Sequence, residues 1–226
     1  ITELAKAGVS TADILDGGLN GALSLAAAGE LEVASAAEIA ATALTVFGLK
    51  GNQVEHVADL PAAGAGKAQG SVEDMGQALN QTGLVAAQMG LSVEDTTGAL
   101  ALFASNGLLG SDAGTSFKTM LQRLNPQSEE AAKLMTELGL SAYDSGGNFI
   151  GLQAYAGRLQ TALAGMSEEQ RNATMNTLFG SDAVRAANVL YKKAASGIGD
   201  WIGKVNDAGY AAEQAAILQD NLKGDL

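Results

Sequence analysis

The chain has 226 residues, 47% of them hydrophobic, 17% charged and only 4% aromatic, with 29 Gly and a formal charge of −12. That length suits one large domain or two small ones, and the charge disfavours direct binding of nucleic-acid phosphates, since Lys192-Lys193 is the densest basic pair. The absence of Cys excludes disulfides, thiolate catalysis and the usual structural zinc sites.

Ala carries much of the hydrophobicity. Small side chains let helices approach closely but bury little area each, at ~25 cal/mol per Å². Thin, Ala-mediated helix contacts are therefore expected.

Taken in chain order, the sequence reads as short helices separated by Ser caps and Gly stops. No secretory signal or transit peptide is visible at the start. Ile1 to Gly8 reads like the end of a helix. Ser10-x-x-Asp13 opens the next, with Leu15, Leu19, Ala22, Leu23 and Ala26 expected on one face and Gly29 at its end. Ala40, Ala43, Leu44 and Phe47 form a second stripe, ending at Gly48, and Pro61 predicts a kink further on. Ser71-x-x-Asp74 and Ser92-x-x-Asp95 have capping-box spacing on either side of a stop at Gly90.

A helix starting near Ser111 places Ala113, Phe117, Met120, Leu121 and Leu124 on a buried face, and Pro126 breaks it. After a stop at Gly139, Ser141 to Ile150 sets a Gly-Gly turn between two short β-prone pieces, which predicts a small hairpin. Ser167-x-x-Gln170 opens another helix that should stop at Gly180. Ala211, Ala215, Leu218 and Leu222 make a last stripe, running into a helix that the sequence leaves unfinished. Both ends look cut, so the chain is expected to be a piece of a longer protein. The expected fold is a single all-α region over 1–226, a compact array of roughly a dozen short helices with one small β-hairpin near 141–150. Gly110-Ser-Asp-Ala113 recurs as Gly180-Ser-Asp-Ala183, which reads as reuse of one cap, since the following residues diverge.

Candidate chemistry is sparse. A phosphate loop needs a Gly, four spacers and Gly-Lys followed by Ser or Thr; around Gly66-Lys67 the first and last positions are Pro61 and Ala68. A calcium loop counted from Asp144 fails at position 6, Phe149, and at position 12, Tyr155. His56, the only histidine, stands beside Glu55 and near Asp59, with no nucleophile motif to complete a triad. The pairs Glu73-Asp74, Glu94-Asp95, Glu129-Glu130 and Glu168-Glu169 each fall in the expected first turn of a helix, where negative charge complements the dipole. The most apolar window, Leu31 to Leu49, is interrupted by Glu32 and Glu38. No catalytic, cofactor-binding or metal-binding residue is assigned, and no cofactor is expected.

The run Leu4 to Leu23 resembles the core region of phage tail tape measure proteins, as do Val57-Ala-Asp-Leu60, Ala62 to Ala68 and Phe103 to Leu124. Phe179 to Ala187 and Leu222-Lys-Gly-Asp225 are similar to the same family, so the resemblance spans nearly the whole chain in order. Pro61 departs from the pattern, where an apolar helix former is expected. The similarity leans toward phages of actinobacteria.

This resemblance implies a structural, non-enzymatic virion protein. Such proteins lie inside the tail tube, set its length, template assembly and leave ahead of the DNA. It implies copies of the same chain, the tail tube protein, tail tip or baseplate proteins and assembly chaperones as partners. The implied locations are the virion tail, the host cytoplasm during assembly and the host envelope during infection. An envelope-interacting or pore-forming ejection module is the alternative reading, and cell-wall hydrolase activity, present in other regions of some family members, is a third.

Overall fold

A computed structural model describes the backbone of residues 1–224 and the side chains of residues 1–220. Leu222 and the tail of the resemblance at 222–225 therefore have side chains outside the described residues. The elements are α1 (Thr2–Lys6), a single turn α2 (Thr11–Asp13), a π turn over Ile14–Gly18, α3 (Leu19–Ala28) and α4 (Val33–Phe47). A 3-10 turn, Gly51–Gln53, leads into α5 (Val54–Lys67), followed by α6 (Val72–Gln88), α7 (Val93–Ser105), α8 (Gly110–Arg123) and α9 (Glu129–Glu137). α10 (Leu152–Leu163), α11 (Glu168–Val205) and α12 (Tyr210–Gly224) complete the chain.

The Ser caps are where the sequence places them. Ser71, Ser92 and Ser167 each accept the backbone N–H three residues on, and the side chains of Asp74, Asp95 and Gln170 accept in return from the cap residue's N–H. Ser10 accepts from the Asp13 N–H at 3.0 Å. A fifth cap, Ser128 on α9, was not foreseen.

Gly48, Gly90, Gly139 and Gly180 all have positive φ, but Gly29 does not: there the left-handed residue is Glu30, at φ 52°. Gly29 is needed for a different reason, because a Cβ at that position would lie 2.7 Å from Cβ of Val72. The long α11 is bent at Gly180 (φ 69°) and at Ala194 (φ 54°), so it consists of three helical pieces and not one rod.

The hairpin expected near 141–150 is not formed as a sheet. One isolated antiparallel bridge joins Tyr143 and Phe149, and among the described residues no strand develops from it. Gly139 (φ 64°) and Gly151 (φ 87°) turn the chain at either end, which leaves arms too short to propagate a ladder. The Asp144 carboxylate organises what remains, with Oδ1 accepting the N–H groups of Gly146 and Asn148 at 2.9 Å each. The Asn148 N–H foremost holds this exposed carboxyl below its usual range.

The stripe drawn through Leu15 and Leu23 is also corrected, as these side chains are 75% and 43% exposed. Asp16 and Gly17 leave helical dihedrals, which resets the phase of the helix. The inward face is instead Gly18, Gly21, Ala22, Leu25 and Ala26. Pro61 does not interrupt α5, which continues through it as one helix from Val54 to Lys67. The 111–124 stripe is buried as read.

Two helices lie at the centre. α5 is buried from Val57 to Gly64 without interruption, against α3, α4, α6, α7, α11 and α12. α7 is buried from Thr96 to Ala104, against α5, α6, α8 and α11. Only small residues let so many neighbours reach one helix. Gly98 of α7 meets the Ile202 backbone of α11, and Gly114 of α8 meets the Ala78 backbone of α6. The helices that carry the two Gly-Ser-Asp-Ala copies pack together: Ser116 Oγ of α8 donates to the Asp182 carbonyl of α11 at 2.6 Å and accepts from the Ala186 N–H at 3.1 Å. What the copies share is the left-handed Gly, since the N-cap of α8 is Leu109 and it makes no side-chain cap bond.

The core contains polar atoms that lack partners among the described residues. The hydroxyls of Thr82, Thr97 and Tyr155 are buried and make no hydrogen bond, and burial pushes the Tyr155 phenol above its usual value near 10. A buried unpaired hydroxyl costs ~1–3 kcal/mol. Tyr155→Phe is therefore expected to raise the melting temperature by roughly 2–4 °C for each kcal/mol recovered. A lower melting temperature in a thermal scan would mean that the hydroxyl has a partner.

Candidate functional site

The polar contacts that span the longest stretches of sequence converge on α5. Asp59 is 7% exposed although it lies between Ala58 and Leu60. Its Oδ2 accepts the Gly209 N–H at 2.7 Å and its Oδ1 accepts the Ala211 N–H at 2.9 Å. It thus caps α12 from another helix, where a negative charge is favoured by the free N–H groups and the dipole. Eight residues further along α5, Lys67 donates to the Lys204 carbonyl at 2.8 Å and pairs with Asp207 at 2.5 Å. Its ammonium also sits 5.0 Å from the centre of the Tyr210 ring. Asp59 and Lys67 together clamp the turn between α11 and α12. Lys67 of the Gly66-Lys67 pair is therefore engaged within the chain. An Asp inside the apolar run Val57-Ala-Asp-Leu60 was the available signal for this clamp, and sequence reasoning missed it.

His56 is one turn earlier on α5. Its Nε2 lies 2.6 Å from Glu94 Oε1 in the first turn of α7, with both side chains roughly 30% exposed. Burial pushes the Glu94 carboxyl up, but the His56 hydrogen bond, its own backbone N–H, the Ser92 hydroxyl and the His56 charge outweigh it. The net shift is downward from the usual 4.5. The sign follows directly: the pair stabilises the fold above the unfolded-state value, and this contribution is lost as pH falls through the lower folded-state value. A Glu94→Gln variant should thus melt below the wild type at pH 6, with the gap closing as pH drops below 4.5. A gap that stays constant from pH 6 to pH 3 would exclude the pair as its source.

A groove of about 700 Å³ opens beside these groups, lined by Asn20, Ser24, Glu55, His56, Asp59 and Gln219 among others. A second, of about 500 Å³ between α4 and α6, carries Glu30, Glu32, Glu38 and Glu73. The four acidic pairs of the sequence all lie in first turns, of α6, α7, α9 and α11. Among the described residues, no group of three or more His, Cys, Asp or Glu could hold a metal ion, and no helix is long and apolar enough to cross a membrane. The apolar window from Leu31 to Leu49 is mostly α4, packed against α1, α3, α5 and α6.

The site is thus an arrangement of helix-joining polar contacts within an Ala-rich array, the type of a structural packing module. The family model for phage-related minor tail proteins matches residues 1–180. The chain belongs to that family. It is 37% identical over 224 residues to a tape measure protein of Pneumococcus phage Dp-1, covering 99% of this chain and 19% of that protein. It is 30% identical over 187 residues to a probable tape measure protein of Escherichia phage P2, covering 80% of this chain and 23% of the relative. The chain therefore spans about a fifth of the length of these relatives. Neither relative supports the lean toward actinobacterial phages. No solved structure matches.

Proposed function

We propose that this segment is a folded assembly module of a tail tape measure protein, with the ruler residing mainly elsewhere in the parent chain. The observation that carries this reading is the contact between Asp59 and Ala211, 152 residues apart in sequence. A continuous helix would separate them by about 230 Å. A segment folded back in this way adds little length to a tube. It has instead the form of a body that packs against copies of itself, the tail tube protein, tip or baseplate proteins and assembly chaperones. In this reading it works by protein contacts alone, without catalysis, cofactor or direct DNA binding, assembles in the host cytoplasm and leaves the tail ahead of the genome. Contact with the host envelope would require the Ala-rich helices to unpack, and leakage of lipid vesicles is the measurement for it.

Deleting the segment from an otherwise intact phage should block or misassemble tails. Infectious particles with tails shortened in proportion to the residues removed would make the segment part of the ruler and overturn the proposal.

A further inference from the structure

The geometry points to α12 as a releasable helix, latched to the rest of the fold by Asp59 and Lys67 of α5. This does not rest on the segment's role in the tail. Two independent observations meet here.

The first is how little apolar surface the described side chains of α12 bury. Between residues 210 and 220 only Ala211 and Ala215 are buried, and Ala offers little area to remove from water. Two grooves undercut the helix. One reaches Ala211, Ala212, Ala215 and Gln219; the other, of about 360 Å³, reaches Tyr210 and Gln214. By contrast, α7 is buried at every residue from Thr96 to Ala104. The small cluster that receives Ala211, made of Leu25, Ala26, Ala36, Ala58, Ala62 and Val72, is separate from the main core. The surface that α12 covers is thus this smaller cluster.

The second is the concentration of polar contacts at the N-terminal end of α12. Asp59 accepts two backbone N–H groups there, and Lys67, which holds Asp207 and the Lys204 carbonyl in the preceding turn, sets its ammonium 5.0 Å from the ring of Tyr210 at the start of α12. Charge-assisted hydrogen bonds to a partly buried carboxylate are strong and directional. A helix held at one end by such a cluster, and packed on α3 and α5 chiefly through Ala211 and Ala215 among the described side chains, opens as a unit when the cluster opens. The connection allows it, because Gly209, at φ 84°, is a residue that changes backbone region at no steric cost.

Hydrogen exchange read by mass spectrometry on the 226-residue chain tests this. In the wild type, amides 211–218 should exchange together, at least on the order of tenfold faster than those of α7 and α8. Asp59→Ala should accelerate 209–218 by a further factor on the order of ten, with α7 and α8 unchanged. Lys67→Met should act in the same direction. Wild-type protection in α12 equal to that in α7 would overturn the inference without any variant. So would graded exchange that leaves 211–215 slow, which is fraying from the C-terminal end. An Asp59→Ala variant that accelerates every helix equally would show a structural residue and not a latch.

Discussion

Replacing Phe117 by Ala lowers the melting temperature of the chain by roughly 6–20 °C. Phe117 is fully buried on α8, with its ring 5.2 Å from that of Phe103 on α7 in an edge-to-face arrangement of 72°. Removing a core Phe side chain costs ~3–5 kcal/mol, of which the aromatic pair supplies ~0.5–1.5 kcal/mol. At roughly 2–4 °C per kcal/mol for a chain of this size, the loss falls in the stated range. Ala99, Ala101 and Ala104 make up part of the buried face of α7, and such small side chains have little with which to fill the cavity. A shift under about 3 °C in a thermal scan would mean that the α7–α8 contact collapses around the hole. Phe103→Leu, which keeps volume but loses the ring pair, should fall well short of that loss.

That stripe could be read from the sequence because one uninterrupted helix carries it. Ala113, Phe117, Met120, Leu121 and Leu124 keep a constant phase, and all are buried. The caps were legible for the same reason: Ser71 and Asp74, or Ser92 and Asp95, act across three residues. The stripe from Leu15 failed because its phase breaks at Asp16 and Gly17, in dihedrals that no spacing rule encodes. The hairpin at 141–150 failed because strand pairing depends on a neighbouring strand, and the local Gly-Gly signal carries no information about one. Asp59 was missed for a related reason. Its partners, Gly209 and Ala211, lie 150 and 152 residues away and use backbone N–H groups, which every residue but Pro has. Chemistry that joins side chain to backbone across the fold leaves little trace in a linear motif.

Two Gly→Ala substitutions inside helices should have opposite signs. Gly157 of α10 has only Cβ of Ala195 near its missing side chain, at 3.6 Å, an ordinary contact. Ala there gains helix propensity and should stabilise the chain by about 0.5–1 kcal/mol. Gly114 of α8 is the reverse case. A Cβ on it would lie 2.5 Å from the Ala78 carbonyl oxygen, 2.7 Å from Cβ of Gln81 and 2.9 Å from Cα of Ala78. Two of these three atoms are backbone of α6, so no rotamer change relieves the clash and the helices must separate. Overpacking of this kind costs ~1–3 kcal/mol, against which the gain in propensity is smaller. Separating α6 from α8 would also disturb Phe117 and Met120, which lie on the buried face of α8. The expected result is a melting temperature lowered by roughly 3–10 °C for Gly114→Ala and raised by a few degrees for Gly157→Ala. If both substitutions raise it, close backbone approach is not what glycine supplies at the α6–α8 crossing, and the account of how an Ala- and Gly-rich chain packs here fails with it.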